Sequence, residues 1–200
     1  MKLYTKPGAC STASHIALKW AGIPFDVEIV KDLNSEEYLK INPAGTVPFI
    51  EDDGWTLSQN VAIMQYISDN APDAALEGDG SARQRAEANR WLAFVNSDVH
   101  PTFKPMFGGV SYLPDESKAL AKEHAKATLR GMFERANEQL KDHDYIAGFR
   151  SYADPYWFIV TRWAKAVRVD LTGFDALEAF YARMEADAGV QEALKAEGLS

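Results

Sequence analysis

The chain has 200 residues, of which 46% are hydrophobic, and a formal net charge of −8 at pH 7. This length is enough for one large domain or two small domains with buried cores. The acidic balance argues against a nucleic-acid partner, which needs a basic face, and against an anionic membrane surface. No apolar run approaches the ~20 residues that span a bilayer, so we expect no membrane association.

The single cysteine and the N-terminus indicate a compartment. One cysteine excludes an internal disulfide framework, which fits a reducing environment. Met1 leads directly into an apolar strand, and the sequence shows no signal-peptide pattern. We therefore expect a cytoplasmic protein.

The first third of the chain alternates strand and helix signals. Short apolar or alternating runs predict four strands, at residues 3–4, 25–30, 47–50 and 55–57. Helical spacing predicts helices at residues 11–21 and 59–69, with residues 34–41 either a short helix or an irregular turn. A strand, a crossover helix and a parallel strand, followed by a hairpin, predict an α/β domain with a mixed four-stranded sheet.

The composition changes near Asn70. Residues 71–83 are rich in Gly, Pro, Asp and Ser and are predicted to be a linker. Beyond this linker, apolar residues recur at helical spacing in four stripes, which predict an all-α bundle of five or so helices. The chain is therefore predicted to form two domains, one over residues 1–77 and one over residues 84–200.

Cys10 lies where the first predicted helix begins, after a strand and a turn. Helix N-termini carry unpaired N–H groups and the positive end of the helix dipole, which favour a thiolate. A cysteine that only packs would more often lie within an apolar stripe. The position therefore favours a reactive thiol over a structural one.

Two further segments offer polar groups that suit a peptide-like ligand. If the Val47–Pro48 bond is cis, the Val47 N–H and C=O face outward and can pair with an extended peptide. An ordinary trans proline is the alternative. Ser58 is a candidate N-cap, and Gln59 and Asn60 then place amides over a first helical turn, where a carboxylate can bind. Simple capping is the alternative reading of that segment.

His100 belongs to a polar face on the first helix of the predicted bundle. Ala93, Ser97, His100 and Lys104 share this face, which is distinct from the apolar stripe. Such a face borders either a cleft or solvent, so His100 is either a site residue or a solvated side chain.

Ser151 and Asp154 form a predicted capping box before the third apolar stripe. Ser151 would cap the helix, while the Asp154 carboxylate would accept from the Ser151 N–H. The box is expected to support folding of that helix and not to take part in chemistry directly.

Four segments, in this order, resemble motifs of the glutathione transferase family. They resemble its bacterial beta-class cysteine motif, the signature before its cis-proline, its γ-glutamyl-binding helix and its folding-motif capping box, at residues 4–11, 41–48, 58–67 and 151–154. The match covers nearly the whole chain. The resemblance implies a thioredoxin-like N-terminal domain, an all-helical C-terminal domain, a homodimer and a cis Val47–Pro48 bond.

The same resemblance implies glutathione as co-substrate, with no metal. Val47 would pair through its backbone with the cysteinyl part of glutathione. Gln59 and Asn60 would hold the γ-glutamyl carboxylate and amine, and Lys31 would approach the glycyl carboxylate. The glutathione-binding candidates are Ala9, Cys10, Lys31, Val47, Pro48, Gln59, Asn60 and Ser97.

The implied reaction is transfer of the glutathione thiolate to small apolar electrophiles. The catalytic candidates are Cys10, Ser11 and His100, because backbone N–H groups, a hydroxyl or an imidazole can stabilise a thiolate. The electrophile is expected in an apolar pocket between the domains. The candidates for this pocket, chosen by position and aromatic content, are Phe103, Met106, Phe107, Tyr112 and Trp163.

Other activities stay open at this stage. Cys10 could form a mixed disulfide with glutathione, which would support thiol–disulfide exchange or peroxide reduction. The chain could instead be a non-catalytic binding module of the same fold, or a specialised glutathione-dependent dehalogenase, isomerase or lyase. Tyr4 is predicted to be a strand residue and not a catalytic phenol, since Thr5 stands where the family often has a tyrosine.

Overall fold

Four strands form one mixed sheet in the computed structural model, which describes residues 1–199. The strands are β1 (Lys2–Thr5), β2 (Asp26–Ile29), β3 (Phe49–Asp52) and β4 (Trp55–Ser58). Their order is β2-β1-β3-β4, with β1 parallel to β2 and antiparallel to β3. The predicted sheet is therefore confirmed, although its third strand begins at Phe49, after a proline that has no N–H to donate.

Three helices complete the N-terminal domain: α1 (Ser11–Ala21), α2 (Glu36–Ile41) and α3 (Asn60–Asn70). The first ends as predicted, because Gly22 adopts the left-handed conformation (φ 67°) and its N–H bonds back to the last turn. The second is a short helix that Ser35 caps, its hydroxyl accepting from the Tyr38 N–H at 3.2 Å.

The C-terminal domain is helical throughout its regular structure. A single 3₁₀ turn (Pro72–Ala74) precedes it, and a π-helical segment (Val95–Val99) joins α4 to α5. The helices are α4 (Ala82–Phe94), α5 (His100–Thr102), α6 (Asp115–Leu140), α7 (Ala153–Ala166), α8 (Asp175–Ala186) and α9 (Ala188–Ala196). The predicted class, a thioredoxin-like α/β domain followed by an all-α domain, is confirmed.

One hydrophobic core extends from the sheet into the helical bundle through α1. Ile16 and Ala17 are fully buried on α1, as is Trp157 on α7. At the far end of α1, the Trp20 indole N–H donates to Asp187, between α8 and α9, at 2.7 Å. Both domains therefore fix the position of α1, and with it the position of Cys10.

The predicted capping box is present before α7, in a modified form. Asp154 accepts from the N–H groups of Ser151 (2.7 Å) and Ile146 (2.8 Å). The Ser151 hydroxyl accepts from the Ala153 N–H at 3.3 Å. Burial raises the pKa of Asp154 to about 7, although these donors oppose the rise. The box thus ties the preceding loop to α7.

Within residues 1–199, none of the helices combines the length and apolar character that crossing a membrane requires.

Candidate active site

Cys10 lies at the N-cap of α1, half-buried, at the entrance to a cleft between the two domains. Its thiol donates to the Val47 C=O, with the sulfur 3.4 Å from the oxygen. Burial raises the pKa of the Cys10 thiol to about 11, even though the backbone N–H groups of Cys10 and Ser11 favour the thiolate. The direction of this shift opposes the expected thiolate in the ligand-free protein, because desolvation outweighs the helix terminus.

The Val47–Pro48 bond is cis, as the resemblance implied. The preceding turn is held in place because the Tyr38 hydroxyl and the Asn42 amide both donate to the Thr46 C=O, at 2.6 Å and 2.8 Å. The Val47 C=O is occupied by the Cys10 thiol, whereas its N–H meets no protein acceptor within residues 1–199. Both backbone groups thus lie at the cleft beside the sulfur.

Gln59 precedes α3 in a conformation that is unusual for a residue with a side chain, with φ at 76°. Such backbone costs about 1–3 kcal/mol and is concentrated at ligand-binding positions. Gln59 lines the cleft directly in front of the first turn of α3, whose leading N–H groups have no partners within the helix.

Asn60 lines the smaller cavity and also supports it through its side chain. The Asn60 amide oxygen accepts from the Ser14 hydroxyl at 2.7 Å, and its amide nitrogen donates to the Cys10 C=O at 3.0 Å. Asn60 thus lines the smaller cavity while each of its polar atoms also ties α3 to α1, and its second amide N–H can still meet a ligand.

Ser11 faces the protein interior, on the opposite side of the chain from Cys10. It is fully buried, and its hydroxyl accepts from the Lys6 N–H at 3.1 Å and lies 2.8 Å from the Thr5 hydroxyl. Of the two Ser11 groups considered, the hydroxyl therefore lies away from the cleft. The Ser11 backbone N–H is the group that reaches the neighbouring sulfur.

A buried carboxylate holds the end of β1 and the first turns of α1 together. Glu197, which follows α9, accepts from the Thr12 hydroxyl (2.6 Å), the His15 imidazole (2.9 Å) and the Thr5 hydroxyl (2.9 Å). Its side chain is entirely inaccessible, like that of His15. Sequence reasoning missed this residue, because nothing local in the chain connects position 197 with positions 5 and 12.

Two cavities meet at Cys10. The smaller holds about 270 Å³ and is lined by Cys10, Thr46, Val47, Pro48, Gln59, Asn60, Asn96, His100, Pro101, Lys104 and Tyr156. The larger holds about 620 Å³ and is lined by Lys6, Pro7, Gly8, Ala9, Cys10, Leu33, Gly45, Thr46, Val47, His100, Phe107 and Trp163. Their shared lining is Cys10, Thr46, Val47 and His100. The two cavities therefore adjoin each other beside the Cys10 thiol.

His100 reaches the shared border and is held there by Tyr156. The His100 Nδ1 lies 2.6 Å from the Tyr156 hydroxyl, and that hydroxyl lies 3.5 Å from the Asn96 amide oxygen. Burial, followed by the charge of Lys104, lowers the pKa of His100, while burial raises that of Tyr156. Tyr156 and Asn96 were not predicted, since neither belongs to a motif or to the polar face that contains His100.

Ser97 does not belong to the site, contrary to the sequence prediction. It is exposed and lines neither cavity, whereas Asn96 lines the smaller one. The π-helical segment adds residues to this turn, so the α-helical spacing that grouped Ser97 with His100 does not apply.

Lys31 lies elsewhere, and its predicted contact with a ligand carboxylate is corrected. It follows the edge strand β2 and borders a separate surface depression with Glu28 and Tyr38. The cations that border the cleft are Lys104, at the smaller cavity, and Lys6, at the larger.

Two of the five predicted aromatic or apolar pocket residues line the larger cavity. Phe107 and Trp163 do so, and the Trp163 indole N–H donates to the Gly8 C=O at 2.7 Å. Phe103 is fully buried beneath them. Met106 packs on the core and Tyr112 is 80% exposed, so neither lines the cavity and both assignments are corrected. Loop residues carry no periodic signal that would fix their direction.

Residues 1–199 bring together no group of three His, Cys, Asp or Glu side chains that could hold a metal ion.

The sheet, the bundle and the cleft between them define a two-domain thioredoxin-like protein with a thiol at its site. Family models for the glutathione S-transferase N-terminal domain and C-terminal domain match residues 8–70 and 91–188. The chain belongs to the glutathione S-transferase family.

Individual relatives cover the whole chain. Glutathione S-transferase GST-4.5 of Xanthomonas campestris is 50% identical over 204 residues, covering 100% of both chains. A glutathione S-transferase structure from Xylella fastidiosa has a TM-score of 0.97 and 49% identity, covering 100% of this chain and 99% of that one. A sphingomonad glutathione S-transferase complexed with glutathione has a TM-score of 0.86 and 35% identity over 100% of both chains.

Proposed function

We propose that this transferase binds glutathione in the smaller cavity and transfers its thiolate to small apolar electrophiles in the larger one. The proposal rests on one feature, the border that the two cavities share at Cys10, Val47 and His100. Two reactants that meet there are held in contact, which removes much of the entropic cost of the reaction. The sphingomonad relative that is complexed with glutathione supports glutathione as the thiol substrate.

Glutathione would lie along the N-terminal side of the cleft. The Val47 N–H and C=O are placed to pair with the cysteinyl part, as an added strand pairs with a sheet edge. Gln59 and the leading N–H groups of α3 suit the γ-glutamyl carboxylate. Pro48 completes the wall of this cavity, and Lys104 supplies a positive charge for the ligand's carboxylates. Ala9 lies on the adjoining wall, in the larger cavity.

Donors around the shared border would lower the pKa of the bound glutathione thiol. Its reference value is about 8.5, and each unit of lowering requires about 1.4 kcal/mol of preference for the thiolate. Because the Cys10 thiol stays protonated, it can turn from the Val47 C=O and donate to the glutathione sulfur. The N–H groups of Cys10 and Ser11 and the His100 imidazole would add to this stabilisation.

Thiol–disulfide exchange through Cys10 is the weaker candidate. The attacking species in exchange is a thiolate. Because burial raises the pKa of the Cys10 thiol to about 11, this thiol is protonated at pH 7. A specialised dehalogenase, isomerase or lyase would differ in the larger cavity, so a panel of aryl halides, epoxides and enones distinguishes these activities.

A Cys10→Ala variant tests the assignment. We expect glutathione binding by calorimetry to change less than about threefold, because Val47 and Gln59 carry the contacts. Transfer to an aryl chloride should fall but persist, whereas disulfide exchange should vanish. Absence of glutathione binding by the unsubstituted protein would contradict the proposed function, and loss of both activities in a folded, glutathione-bound variant would contradict the role of Cys10.

The alkylation rate of Cys10 measures its ionisation directly. Because burial raises the pKa of the thiol to about 11, the rate with iodoacetamide should rise about tenfold per pH unit between pH 7 and 9.5. The rate should not level off in this range. A plateau below pH 9 would show a reactive thiolate and would favour exchange chemistry.

We also propose that the protein is a cytoplasmic homodimer of the bacterial beta class. Trp55, at the start of the edge strand β4, is 48% exposed and packs on Tyr66. The two rings form an apolar surface that a partner subunit would cover. The single cysteine suits a reducing compartment. Light scattering should give twice the 22.2 kDa of one chain, and a monomer mass would reject the dimer.

A further inference from the structure

We propose that Tyr156 is a positioning residue that holds His100 as its Nε2–H tautomer. The imidazole then acts in the cleft as a hydrogen-bond donor and not as a base. This role deepens the proposed transfer reaction and rests on it, since a donor at the shared border stabilises a thiolate whereas a base would remove a proton.

The contact joins two separate helices. His100 begins α5, and Tyr156 belongs to the first turn of α7. The phenol oxygen lies 2.6 Å from the His100 Nδ1, and Tyr156 is only 1% exposed. The indole of Trp163 packs edge-on against the imidazole, with the ring centroids 4.8 Å apart. Two aromatic side chains of α7 therefore fix both the position and the rotation of the His100 ring.

The distribution of protons follows from the distances. The phenol has one proton, and the acceptors within its reach include the His100 Nδ1 at 2.6 Å, the Asn96 amide oxygen at 3.5 Å and the Cys10 sulfur. We assign this proton to the short contact with Nδ1, because in the opposite tautomer the phenol would donate to Asn96, and a hydrogen bond at 3.5 Å is weak. A neutral imidazole that accepts at Nδ1 must carry its proton on Nε2.

The protonation states of both groups agree with this arrangement. Burial raises the pKa of Tyr156, so the phenol keeps its proton at neutral pH. Burial and the nearby charge of Lys104 lower the pKa of His100, so the ring is neutral. The Cys10 thiol also lies beside the phenol and is protonated, so it adds no negative charge that would favour an imidazolium.

Solution NMR of the histidine nitrogens reads out the tautomer without any assay of turnover. In the unsubstituted protein we expect His100 to show a protonated Nε2 and an unprotonated Nδ1. Tyr156→Phe should convert this signal to a mixture of tautomers. Tyr152→Phe is the matched control, since it removes another buried tyrosine hydroxyl near the start of α7, bonded to Asn89 at 2.9 Å. The control should leave the His100 signal unchanged.

Kinetics separate action through His100 from direct action of the phenol on the sulfur. Tyr156→Phe should lower kcat about tenfold with little change in the KM for glutathione. Combined with His100→Ala it should have no further effect, because its partner is already gone. Additive losses in the double variant, or a protonated Nδ1 in the unsubstituted protein, would overturn the proposal. If the protein transfers no glutathione at all, the proposed function fails, and with it a role in that reaction, while the NMR result still decides the tautomer.

Discussion

The N-terminal wall of the cleft presents mainly backbone groups, whereas the helical wall presents side chains. On the first wall, Val47 offers its peptide groups, Cys10 lies at a helix start and Gln59 adopts a left-handed backbone. On the second, His100 and Trp163 project from different helices. Backbone groups cannot be changed by substitution, so the first wall suits one constant ligand. Side chains can be exchanged, so the second wall suits a variable electrophile.

The largest predicted effect comes from removing the buried carboxylate that supports the N-terminal wall of the cleft, which we call the backbone wall. The helical wall is the side-chain wall. Glu197→Ala deprives Thr5, Thr12 and His15 of their shared buried acceptor. We expect the free energy of unfolding to fall by about 3 kcal/mol, measured by urea denaturation. The rate of amide hydrogen exchange should increase more in α1 than in α4, because Glu197 bonds to Thr12 and His15 on α1.

Glu192→Ala on α9 is the matched control for this variant. Glu192 is exposed and forms a surface ion pair with Lys19 at 3.2 Å. Its removal should cost less than about 0.5 kcal/mol. Equal losses in the two variants would show that the buried cluster contributes nothing beyond an exposed ion pair.

The next effect is on binding to the backbone wall alone. Gln59→Ala should raise the KM for glutathione about 30-fold, because a hydrogen bond to a charged carboxylate is lost. The KM for the electrophile should stay constant in the same steady-state assay. Gln191→Ala, an exposed glutamine on α9, is the control. A rise in both KM values would show that the two walls do not act separately.

The smallest effect is predicted on the side-chain wall. Trp163→Phe keeps an aromatic ring but loses the hydrogen bond to the Gly8 C=O. The KM for an aryl chloride should rise about fivefold, while the KM for glutathione should change less than twofold. Trp55→Phe, which lines neither cavity, should change neither value. The distinction between the walls fails if Trp163→Phe affects glutathione more than the electrophile.

The two walls also differ in how well the sequence predicts them. Cys10, the cis-proline segment and Gln59 lie in short motifs whose geometry depends on neighbouring residues, and the structure places all three at the cleft. The mixed four-stranded sheet and the class of an α/β domain followed by an all-α domain were predicted for the same reason, since periodicity and turn residues are local signals. The raised pKa of the Cys10 thiol was not predicted, because burial depends on which residues pack over the thiol.

The side-chain wall depends on contacts between distant segments, which the sequence does not show. Ser97 was chosen by α-helical spacing, but this segment is π-helical, and Asn96 lines the smaller cavity where Ser97 does not. Tyr156 was not predicted, because its contact with His100 joins residues 56 positions apart in the chain. Tyr112 was chosen for its aromatic ring, and it lies in a loop whose direction has no periodic signal.

The position of Glu197 also constrains how this protein is made. The hydroxyl of Thr5 and the carboxylate it meets are separated by 192 positions in the chain. During translation the thioredoxin-like domain leaves the ribosome with Thr5, Thr12 and His15 still lacking their common partner. Because domains tend to fold in order as they emerge, the first one here can collapse early but completes its interior only after residue 197 has been added. The N-terminal end of α1, where Cys10 lies, therefore reaches its final structure only after the helical domain has been synthesised.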